Sequence, residues 1–514
     1  MFQGSRSRRI AVVAVCGAAA LGASQVTARA AGPYGGTAQN GFTTPVALGS
    51  SGGLGEPTII HDSANRLFVT APQGIGNVNT GGGSPLFTST NGGATWGAPV
   101  RSQECTGLSG GDTDLAVDGS DNVFQTDLWL GGSCLSVSTD HGGSFTAGNP
   151  LGTHPAGFDD RPWLAYNKIS NQIYAIWDGG SSINYSYTAS GQPPQAVQMV
   201  GPGVVVPESA INTSGTPDSV RECVCPPGGI AADNTTGAHS GRVYVSYSYQ
   251  HGTAISYGDL TGTCPACTVT SWTGPVAIPG SDTGTGSVSA FEDEWNFDPI
   301  KVDGNGTLYV MWAHAYNFNT TAGTGGVQMF YSYSTTGGTT WHGPIKLSTL
   351  TGTTTFPTMD VVAPGVLDAA WYGDPSSTTT DPNTVPTTDT WNVYYTRVTG
   401  ADTDTPTISP EIAVSGMHTG CIQTGGNGAN ECTDRSLLDF FTLTDDTCGN
   451  PNVIYTGGDV TNGVQLYFTK LTVTQCSAVT AETPWAPLLL LPGSGIAVFA
   501  LRRRSRRRAT ALAG

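Results

Sequence analysis

The amino-acid sequence predicts an all-β protein, a seven-bladed β-propeller built from four-stranded antiparallel blades. Of the 514 residues, 71 are glycine and only 11% are charged, a composition that suits strands and tight turns better than long helices. A hairpin pattern recurs seven times along the chain. The N-terminal region also supplies one isolated strand that the last repeat lacks, as the closing of a ring of blades requires.

The recurring hairpin is the strongest of these observations. Each copy has a polar or charged lead-in, an apolar strand, a turn containing Asp, Asn or Gly, and a second apolar or aromatic strand. The seven copies begin at Glu56, Asp112, Asp160, Pro226, Phe297, Phe356 and Arg435. Alternating side chains and loops rich in residues that tolerate positive φ predict a β-hairpin for each copy. Self-similarity at this spacing is typical of a repeat fold.

A second hairpin follows most copies and completes a blade. It consists of an aromatic strand, a Gly-Gly turn, a Trp or Phe and a short strand, as in residues 85–100, 134–150 and 329–347. Two hairpins give four strands, which is the number in one propeller blade.

The two ends of the repeat region predict how the ring closes. The seventh copy is followed by the strand VQLYFTKLTV but by no short outer strand, whereas residues 41–48 (GFTTPVAL) supply such a strand with no hairpin before it. We therefore expect the N-terminal strand to join the last blade and to remove exposed sheet edges. Tandem β-sandwiches are the alternative, but they would not place the isolated strand at the opposite end of the chain.

Both termini of the chain have the character of targeting segments. Residues 1–30 contain Arg8-Arg9, an apolar run and an Ala-Arg-Ala pattern, which predict a secretory signal peptide of the general or the twin-arginine type. Residues 481–514 contain an apolar segment with the sequence LPGSG followed by six arginines, which predict a membrane anchor or a sorting signal. The propeller would occupy residues 31–480. We expect the protein to be secreted or displayed on a bacterial cell surface, anchored at its C-terminus.

The charge balance excludes one class of partner. The whole chain has a net charge of −17. Without the first 30 residues and the six arginines of the tail, 11 basic residues face 38 acidic ones, a net charge near −27. Nucleic-acid binding requires the opposite sign. We therefore expect no nucleic-acid partner, and contact with a membrane only through the C-terminal tail.

The cysteines predict disulfides. Ten remain once Cys16 is removed with the signal peptide, and an even number in an exported chain indicates pairing. The most local pairs are Cys105–Cys134, Cys421–Cys432 and Cys448–Cys476. The remaining four, Cys223, Cys225, Cys264 and Cys267, predict two more disulfides, with a four-thiolate zinc site as the alternative. Because the histidines are scattered along the sequence, we expect neither a metal nor another cofactor.

Three turns carry a motif that resembles a known family. Residues 89–96 (STNGGATW), 138–145 (STDHGGSF) and 334–341 (STTGGTTW) resemble the Asp-box, S-x-D-x-G-x-x-W, of the sialidase superfamily and other BNR-repeat propellers. In this motif Ser and Asp side chains satisfy backbone amides, a Gly adopts positive φ and the aromatic side chain fills the space between strands. Together with the repeats, the resemblance covers most of residues 40–480.

The resemblance is to a divergent member. Only Asp140 keeps the Asp of the motif, and the first inner strand is preceded by GLGEPTII with Glu56, where these sialidases carry Phe/Tyr-Arg-Ile-Pro. Seven repeats also exceed the six blades of the family.

A site is expected at the lead-ins to the inner strands, since propellers bind ligands on one face near the axis. The resemblance implies three arginines around a substrate carboxylate, a Tyr–Glu nucleophile and an Asp acid/base. Guanidinium forks match carboxylates, and the lead-ins offer Arg161, Arg221 and Arg435 for that role. The candidates for the acid are Asp112, Asp160 and Asp298. The candidates for the nucleophile are Tyr316 and Tyr372, which we expect in loops that join the second strand of a blade to the third. The partner of the nucleophile would be Glu222, Glu292 or Glu294. In the purely structural alternative, each arginine pairs with its sequence neighbour, namely Asp160, Glu222 or Asp434.

Two functional hypotheses follow. In the first, an exported surface propeller that resembles exo-α-sialidases recognises or hydrolyses an extracellular glycan or glycoprotein in a funnel at the axis. In the second, the propeller is a non-catalytic binding or adhesion module. We expect a monomer in either case.

Overall fold

The computed structural model confirms the seven-bladed β-propeller of four-stranded antiparallel blades. It describes residues 39–49, 51–72, 83–102, 110–129, 132–146, 148–151, 159–189, 198–211, 227–249, 252–281, 297–314, 327–376, 382–423, 432–459 and 461–473.

The first three blades follow one another along the chain, each ordered from its innermost strand outwards. Blade 1 consists of β2 (Thr58–His61), β3 (Leu67–Thr70), β4 (Pro85–Ser89) and β5 (Val100–Arg101). Blade 2 consists of β6 (Leu115–Val117), β7 (Val123–Trp129), β8 (Gly132–Ser138) and β9 (Asn149–Pro150). Blade 3 consists of β10 (Asp160–Asn167), β11 (Gln172–Asp178), β12 (Ser182–Thr188) and β13 (Met199–Pro207).

Blades 4 to 6 repeat this arrangement. Blade 4 consists of β14 (Gly229–Ala232), β15 (Val243–Tyr249), β16 (Gly252–Gly258) and β19 (Thr273–Ala277). Blade 5 consists of β20 (Ile300–Val302), β21 (Leu308–His314), β22 (Gln328–Ser334) and β23 (His342–Lys346). Blade 6 consists of β24 (Thr353–Ala363), β25 (Val366–Asp374), β26 (Thr390–Thr399) and β28 (Ile412–Thr419), with the short β27 (Thr407–Ile408) also pairing with β26.

A few short elements decorate the blades. An extra two-stranded sheet joins β17 (Leu260–Thr261) and β18 (Thr268–Val269), one helical turn spans α1 (Glu208–Ile211), and a 3-10 turn spans Pro382–Thr384. No helix among the described residues is long and apolar enough to cross a membrane. The predicted signal peptide and the predicted anchor in residues 481–514 lie outside the described residues.

Blade 7 closes the ring as predicted, because its outermost strand comes from the N-terminal region. It consists of β29 (Thr442–Asp445), β30 (Pro451–Asp459), β31 (Gly463–Lys470) and β1 (Val46–Ala47). In the antiparallel pairing, Val46 lies opposite Phe468. Backbone hydrogen bonds extend the join on both sides of β1, from the Thr43 and Leu48 amides to β31.

The middle strands of the blades are buried on both faces. All seven residues of β21 and all seven of β22 are buried, whereas β23 at the outer rim is largely exposed. Neighbouring blades cover both sides of a middle strand, so both faces of the strand are buried and its polar residues, such as Ser332 and Ser334 in β22, are buried as well. One core cluster packs Met311 and Tyr331 of blade 5 against Met359 and Trp371 of blade 6. The core is therefore a series of layers between blades.

The three Asp-box-like turns share one hydrogen-bond pattern. In the first, the Gly93 amide donates to Ser89 Oγ and the Thr95 amide donates to Asn91 Oδ1, each at 2.9 Å. The same two bonds recur in residues 138–145 and 334–341. An Asn or Thr oxygen thus replaces the Asp oxygen as acceptor, which explains how the turn tolerates the loss of Asp at this position.

The disulfides agree with the prediction where the structure describes them. Cys421 is bonded to Cys432, and Cys264 to Cys267. The second bond consumes two of the four thiols of the alternative zinc site, so a four-thiolate site is excluded. Cys134 and Cys448 are also disulfide-bonded, and their predicted partners, Cys105 and Cys476, lie outside the described residues.

Ring closure yields a first testable prediction. The Phe42 side chain is 2% exposed and packs edge-on against Tyr395 of blade 6 at 5.3 Å between ring centroids. Phe42→Ala should lower the free energy of unfolding by about 3–5 kcal/mol, because it empties a buried space where the ring closes. Denaturant unfolding measures this, with Thr44→Ala at a neighbouring exposed residue as control. Equal stability of the two variants would contradict this role for Phe42.

Candidate functional site

Lead-ins from four adjacent blades meet at one end of the propeller axis. Because the ring closes, blade 7 is the neighbour of blade 1, and the lead-ins of blades 7, 1, 2 and 3 lie side by side. We define the axial cluster as Glu56, Asp112, Asp160, Arg161, Arg435 and Asp439. Every member precedes an inner strand or stands at its first residues.

A buried ion pair between Arg161 and Glu56 forms the centre of the axial cluster. Arg161 Nη1 and Nη2 donate to the two carboxylate oxygens of Glu56, both at 2.9 Å. The Arg161 side chain is 5% exposed and that of Glu56 is 2% exposed. The Asp439 amide adds a third bond to Glu56 at 2.7 Å. The pair therefore joins blades 3 and 1 to the lead-in of blade 7.

The ionisation of Glu56 follows from its surroundings. The pKa of Glu56 is raised above its ordinary value, chiefly by burial; the charge of Arg161 opposes this rise, and the charges of Asp439 and Asp112 add to it. Its three hydrogen bonds come from N–H donors, which favour the carboxylate over the acid. We therefore assign the pair as carboxylate and guanidinium.

Both members of this pair have strained backbones. Glu56 has φ of 51° and Arg161 has φ of 49°, and each stands directly before a proline. The left-handed region is unfavourable for residues with long side chains, by about 1–3 kcal/mol each. Strain of this kind persists where the surrounding structure requires one geometry, and here it directs the two side chains towards each other at the axis.

Three aromatic rings pack around the guanidinium of Arg161. Its Cζ lies 4.7 Å from the ring centroid of Phe297, 4.9 Å from that of Phe440 and 6.0 Å from that of Trp163. The rings also contact one another at 4.9 to 5.7 Å. These cation–π contacts stabilise a buried charge and shield it from water.

The same three rings line an axial cavity of about 390 Å³, bounded by the inner strands of all seven blades. Asp114 also lines it, and burial raises the pKa of Asp114 to about 6. Side chains join neighbouring inner strands there: Asp114 accepts the Leu164 amide at 2.8 Å. Such bonds satisfy backbone donors that have no further strand to pair with.

Arg435 makes the second ion pair of the axial cluster. Both of its terminal nitrogens donate to the Asp439 carboxylate, in a two-pronged arrangement. Arg161 Nη2 lies 3.7 Å from the same carboxylate. Although burial opposes it, the hydrogen bonds and charge of Arg435 and the charge of Arg161 lower the pKa of Asp439. The two arginines thus converge on a carboxylate that the chain itself provides.

Asp112 and Asp160 form a carboxyl pair. Burial is the largest cause, and together with the effects of Asp112 it raises the pKa of Asp160 to about 8. Asp112 acts on Asp160 through its charge and a side-chain hydrogen bond, and both raise the pKa of Asp160. The Asp112 side chain is 17% exposed, and its carboxylate lies 3.7 Å from Arg161 Nη2. Near neutral pH the pair therefore consists of one acid and one carboxylate, both partly open to solvent.

The predicted site residues are distributed as follows. The axial cluster brings together Arg161, Arg435, Asp112 and Asp160. Other candidates lie outside the described residues, namely Arg221, Glu222, Glu292, Glu294 and Tyr316. Arg161 forms its two-pronged bond with Glu56 and Arg435 with Asp439, not with the carboxylate next to each in sequence.

Tyr372 is placed differently from the prediction. It lies inside β25, not in the loop after it, because the strand extends to Asp374. Its ring is fully buried and stacks on Phe441 at 4.2 Å between centroids. Burial raises its pKa well above the ordinary value, so the hydroxyl stays protonated.

Two members of the axial cluster were not among the predicted site residues. Glu56 was recognised as a charged lead-in, but its partner Arg161 is 105 residues away in sequence. Asp439 precedes the inner strand of the seventh copy, a signal equivalent to that of the other lead-ins. The aromatic residues Phe297 and Phe440 also occupy lead-ins, so an aromatic residue at this position is a further sequence signal.

Comparisons with known proteins find a likeness in structure only. No family model and no curated protein matches the chain. Among solved structures, a protein of unknown function from Dyadobacter fermentans DSM 18053 is 12% identical, with a TM-score of 0.42, over 84% of this chain and 98% of that one. An intramolecular trans-sialidase from Ruminococcus gnavus is 13% identical, with a TM-score of 0.41, over 85% and 99%.

A polysaccharide lyase, an ulvan lyase bound to a GlcA–Rha3S saccharide, is 10% identical, with a TM-score of 0.42, over 84% of this chain and 94% of the lyase. With TM-scores below 0.5, these likenesses support no inference about the activity of this chain.

Removing the charge of Glu56 tests the central ion pair. Glu56→Gln leaves the buried Arg161 without its two-pronged partner and should lower the free energy of unfolding by about 3–5 kcal/mol. Glu411→Gln is the matched control, because Glu411 accepts the Thr349 amide at 2.7 Å and an amide oxygen can keep that bond. Chemical denaturation of both variants makes the comparison. A loss at Glu56 no larger than that at Glu411 would count against the assignment.

The raised pKa of Asp160 predicts a pH dependence of stability. Between its ordinary value near 4 and about 8, the folded protein binds a proton that the unfolded chain has released, so Asp160 lowers stability as pH rises through this window. Asp160→Asn removes that contribution. The Tm of the variant relative to wild type should rise by about 1–3 °C between pH 5 and pH 8.5. Thermal unfolding at several pH values measures this, and a pH-independent difference would contradict the assignment.

Proposed function

We propose that the axial cluster binds a sugar unit of an extracellular glycan. The observation that carries the proposal is the convergence of partly exposed carboxyl and guanidinium groups from blades 2, 3 and 7 at one end of the axis. Asp112 is 17% exposed and Arg435 is 27% exposed. Adjacent sugar hydroxyls can donate to the carboxylate and accept from the guanidinium, and hydrogen bonds to charged groups are the stronger ones. The resemblance of the three turns to Asp-boxes adds support from the sequence.

The geometry favours binding over two-carboxylate hydrolysis. Glycosidases that use two carboxyl groups hold them about 5–5.5 Å apart when they retain and about 6.5–9.5 Å apart when they invert the anomeric configuration. Asp112 and Asp160 are hydrogen-bonded to each other, so they are too close to act as separate acid and base. Glu56 and Asp439 are engaged by arginines. The axial cluster, which consists of described residues only, thus provides one acid–carboxylate unit, and its other two carboxyl groups are held by arginines.

Hydrolysis remains the second candidate, and one observation favours it. Asp160 is an acid near neutral pH, and it is partly exposed, as a general acid that protonates a leaving group must be. The reaction would then need a nucleophile or base from elsewhere, for which Glu222 and Tyr316 are the sequence candidates. Tyr372 is left out of this proposal because its hydroxyl is buried in the core.

The proposal assumes export. Four features stay predictions from the sequence: a signal peptide in residues 1–30, an anchor in residues 481–514, a location on a bacterial cell surface and a monomeric state.

Glycan binding by charge-removed variants tests the proposal. Binding is measured on a glycan array and then by calorimetry, and Asp112→Asn and Asp160→Asn should each bind at least about tenfold more weakly than wild type. Asp112→Asn loses a hydrogen bond between the sugar and a charged carboxylate, and Asp160→Asn loses the carboxylic acid that donates to the sugar. Asp404→Asn is the control, since Asp404 is 72% exposed in the turn between β26 and β27. Wild-type protein that binds no glycan, or variants that bind as well as wild type, would overturn the proposal.

The same proteins decide between binding and hydrolysis. Fluorogenic sialosides and neutral glycosides are incubated with wild type and with Asp160→Asn. Turnover by wild type that the variant loses would favour hydrolysis with Asp160 as the acid. Binding without turnover would favour a binding module.

A further inference from the structure

We infer that the sugar unit held by the axial cluster is one without a carboxylate or sulfate group. This inference rests on the proposed function and names the ligand class for the same site. It departs from what a resemblance to sialidases implies, since their substrate carries a carboxylate that three arginines hold.

The first reason is that the arginine donors are already engaged. The two terminal nitrogens of Arg161 bind Glu56, and its side chain is 5% exposed. Both terminal nitrogens of Arg435 bind Asp439. A ligand carboxylate would have to displace Asp439, whose side chain is 13% exposed. That displacement would leave a largely buried carboxylate without its cation, which is strongly unfavourable.

The second reason is the sign of the charge. With Asp160 protonated, the axial cluster holds three carboxylates, those of Glu56, Asp112 and Asp439, against two guanidinium groups. With Asp160 ionised, the carboxylates number four. Among the described residues, an anionic ligand would therefore meet an axial cluster of net negative charge in either state. Without its predicted signal and tail arginines the chain is also strongly acidic, near −27, so the long-range field has the same sign.

The third reason is the chemistry of the accessible groups. Asp112 offers a carboxylate that accepts hydrogen bonds, and Asp160 offers an acid that can donate or accept them. Arg435 offers the partly exposed edge of its guanidinium group, which donates. Hydroxyl groups can satisfy all three, because each hydroxyl both donates and accepts. A ligand carboxylate only accepts, and it would face Asp112 with no proton between them.

Binding of matched glycans tests this inference. An array carries neutral glycans beside the same glycans extended by sialic acid or by a uronic acid, and calorimetry follows on lactose and 3′-sialyllactose. Neutral glycans should bind about tenfold or more tightly than their acidic counterparts. Acidic glycans as the best ligands would overturn the inference while leaving the proposed function intact. An array with no binding to any glycan would remove the proposed function and the inference with it.

A gain-of-binding variant gives a second, independent arm. Asp439→Asn releases the guanidinium of Arg435, so the affinity for 3′-sialyllactose relative to lactose should rise about tenfold. Since Asp439 is largely buried and its variant can fail to fold, Asp112→Asn is the second variant, and it should shift the same ratio in the same direction. Asp404→Asn should leave the ratio unchanged. An unchanged ratio in folded Asp439→Asn and Asp112→Asn proteins would overturn the inference.

Discussion

The buried ion pair between Arg161 and Glu56 determines the form of the candidate site. It joins lead-ins that are far apart in sequence, and Glu56 also accepts the Asp439 amide at 2.7 Å, so three blades are held at one point on the axis. A buried guanidinium needs compensation in charge and in hydrogen bonds, and here Glu56, Asp112 and Asp439 provide it together. The strained backbones of Glu56 and Arg161 show that the fold accepts a local cost to keep this geometry.

The charge balance around this pair explains the state of Asp112 and Asp160. Two guanidinium groups cannot neutralise four carboxyl groups in a largely buried space, so a carboxyl group that no arginine engages in a two-pronged bond retains its proton. Asp160 is such a group, and burial and Asp112 raise its pKa to about 8. The acid–carboxylate pair is thus a consequence of the number of charges that the lead-ins bring together. Its partial exposure makes it the accessible polar surface of the axial cluster.

The sequence predicts the fold better than the site, for a physical reason. Each hairpin copy and each turn is local, so its alternation and its turn residues are visible in a short window, and the isolated strand at residues 41–48 has only one blade to complete. The partners of the arginines are not local: Arg161 meets Glu56 from another blade, although Asp160 is its neighbour in sequence. Tyr372 was also hard to place from the sequence. Its ring is buried because β25 extends as far as Asp374, and the composition around Tyr372 does not show where the strand ends.

The difference between a carboxylate-binding site and the site described here reduces to Asp439. Its carboxylate lies within 3.7 Å of Arg161 and is bound by both terminal nitrogens of Arg435. The carboxylate of an acidic sugar would need this same position in order to bind the same two arginines. The chain thus supplies internally the anion that such a ligand would bring. The internal anion stabilises the two guanidinium groups without a ligand, so the arginines act as structural charges. In the proposed function, Asp112, Asp160 and the exposed edge of Arg435 then contact the sugar. An arginine pair at a propeller axis is therefore weak evidence for an acidic ligand until the carboxylates that face it have been identified.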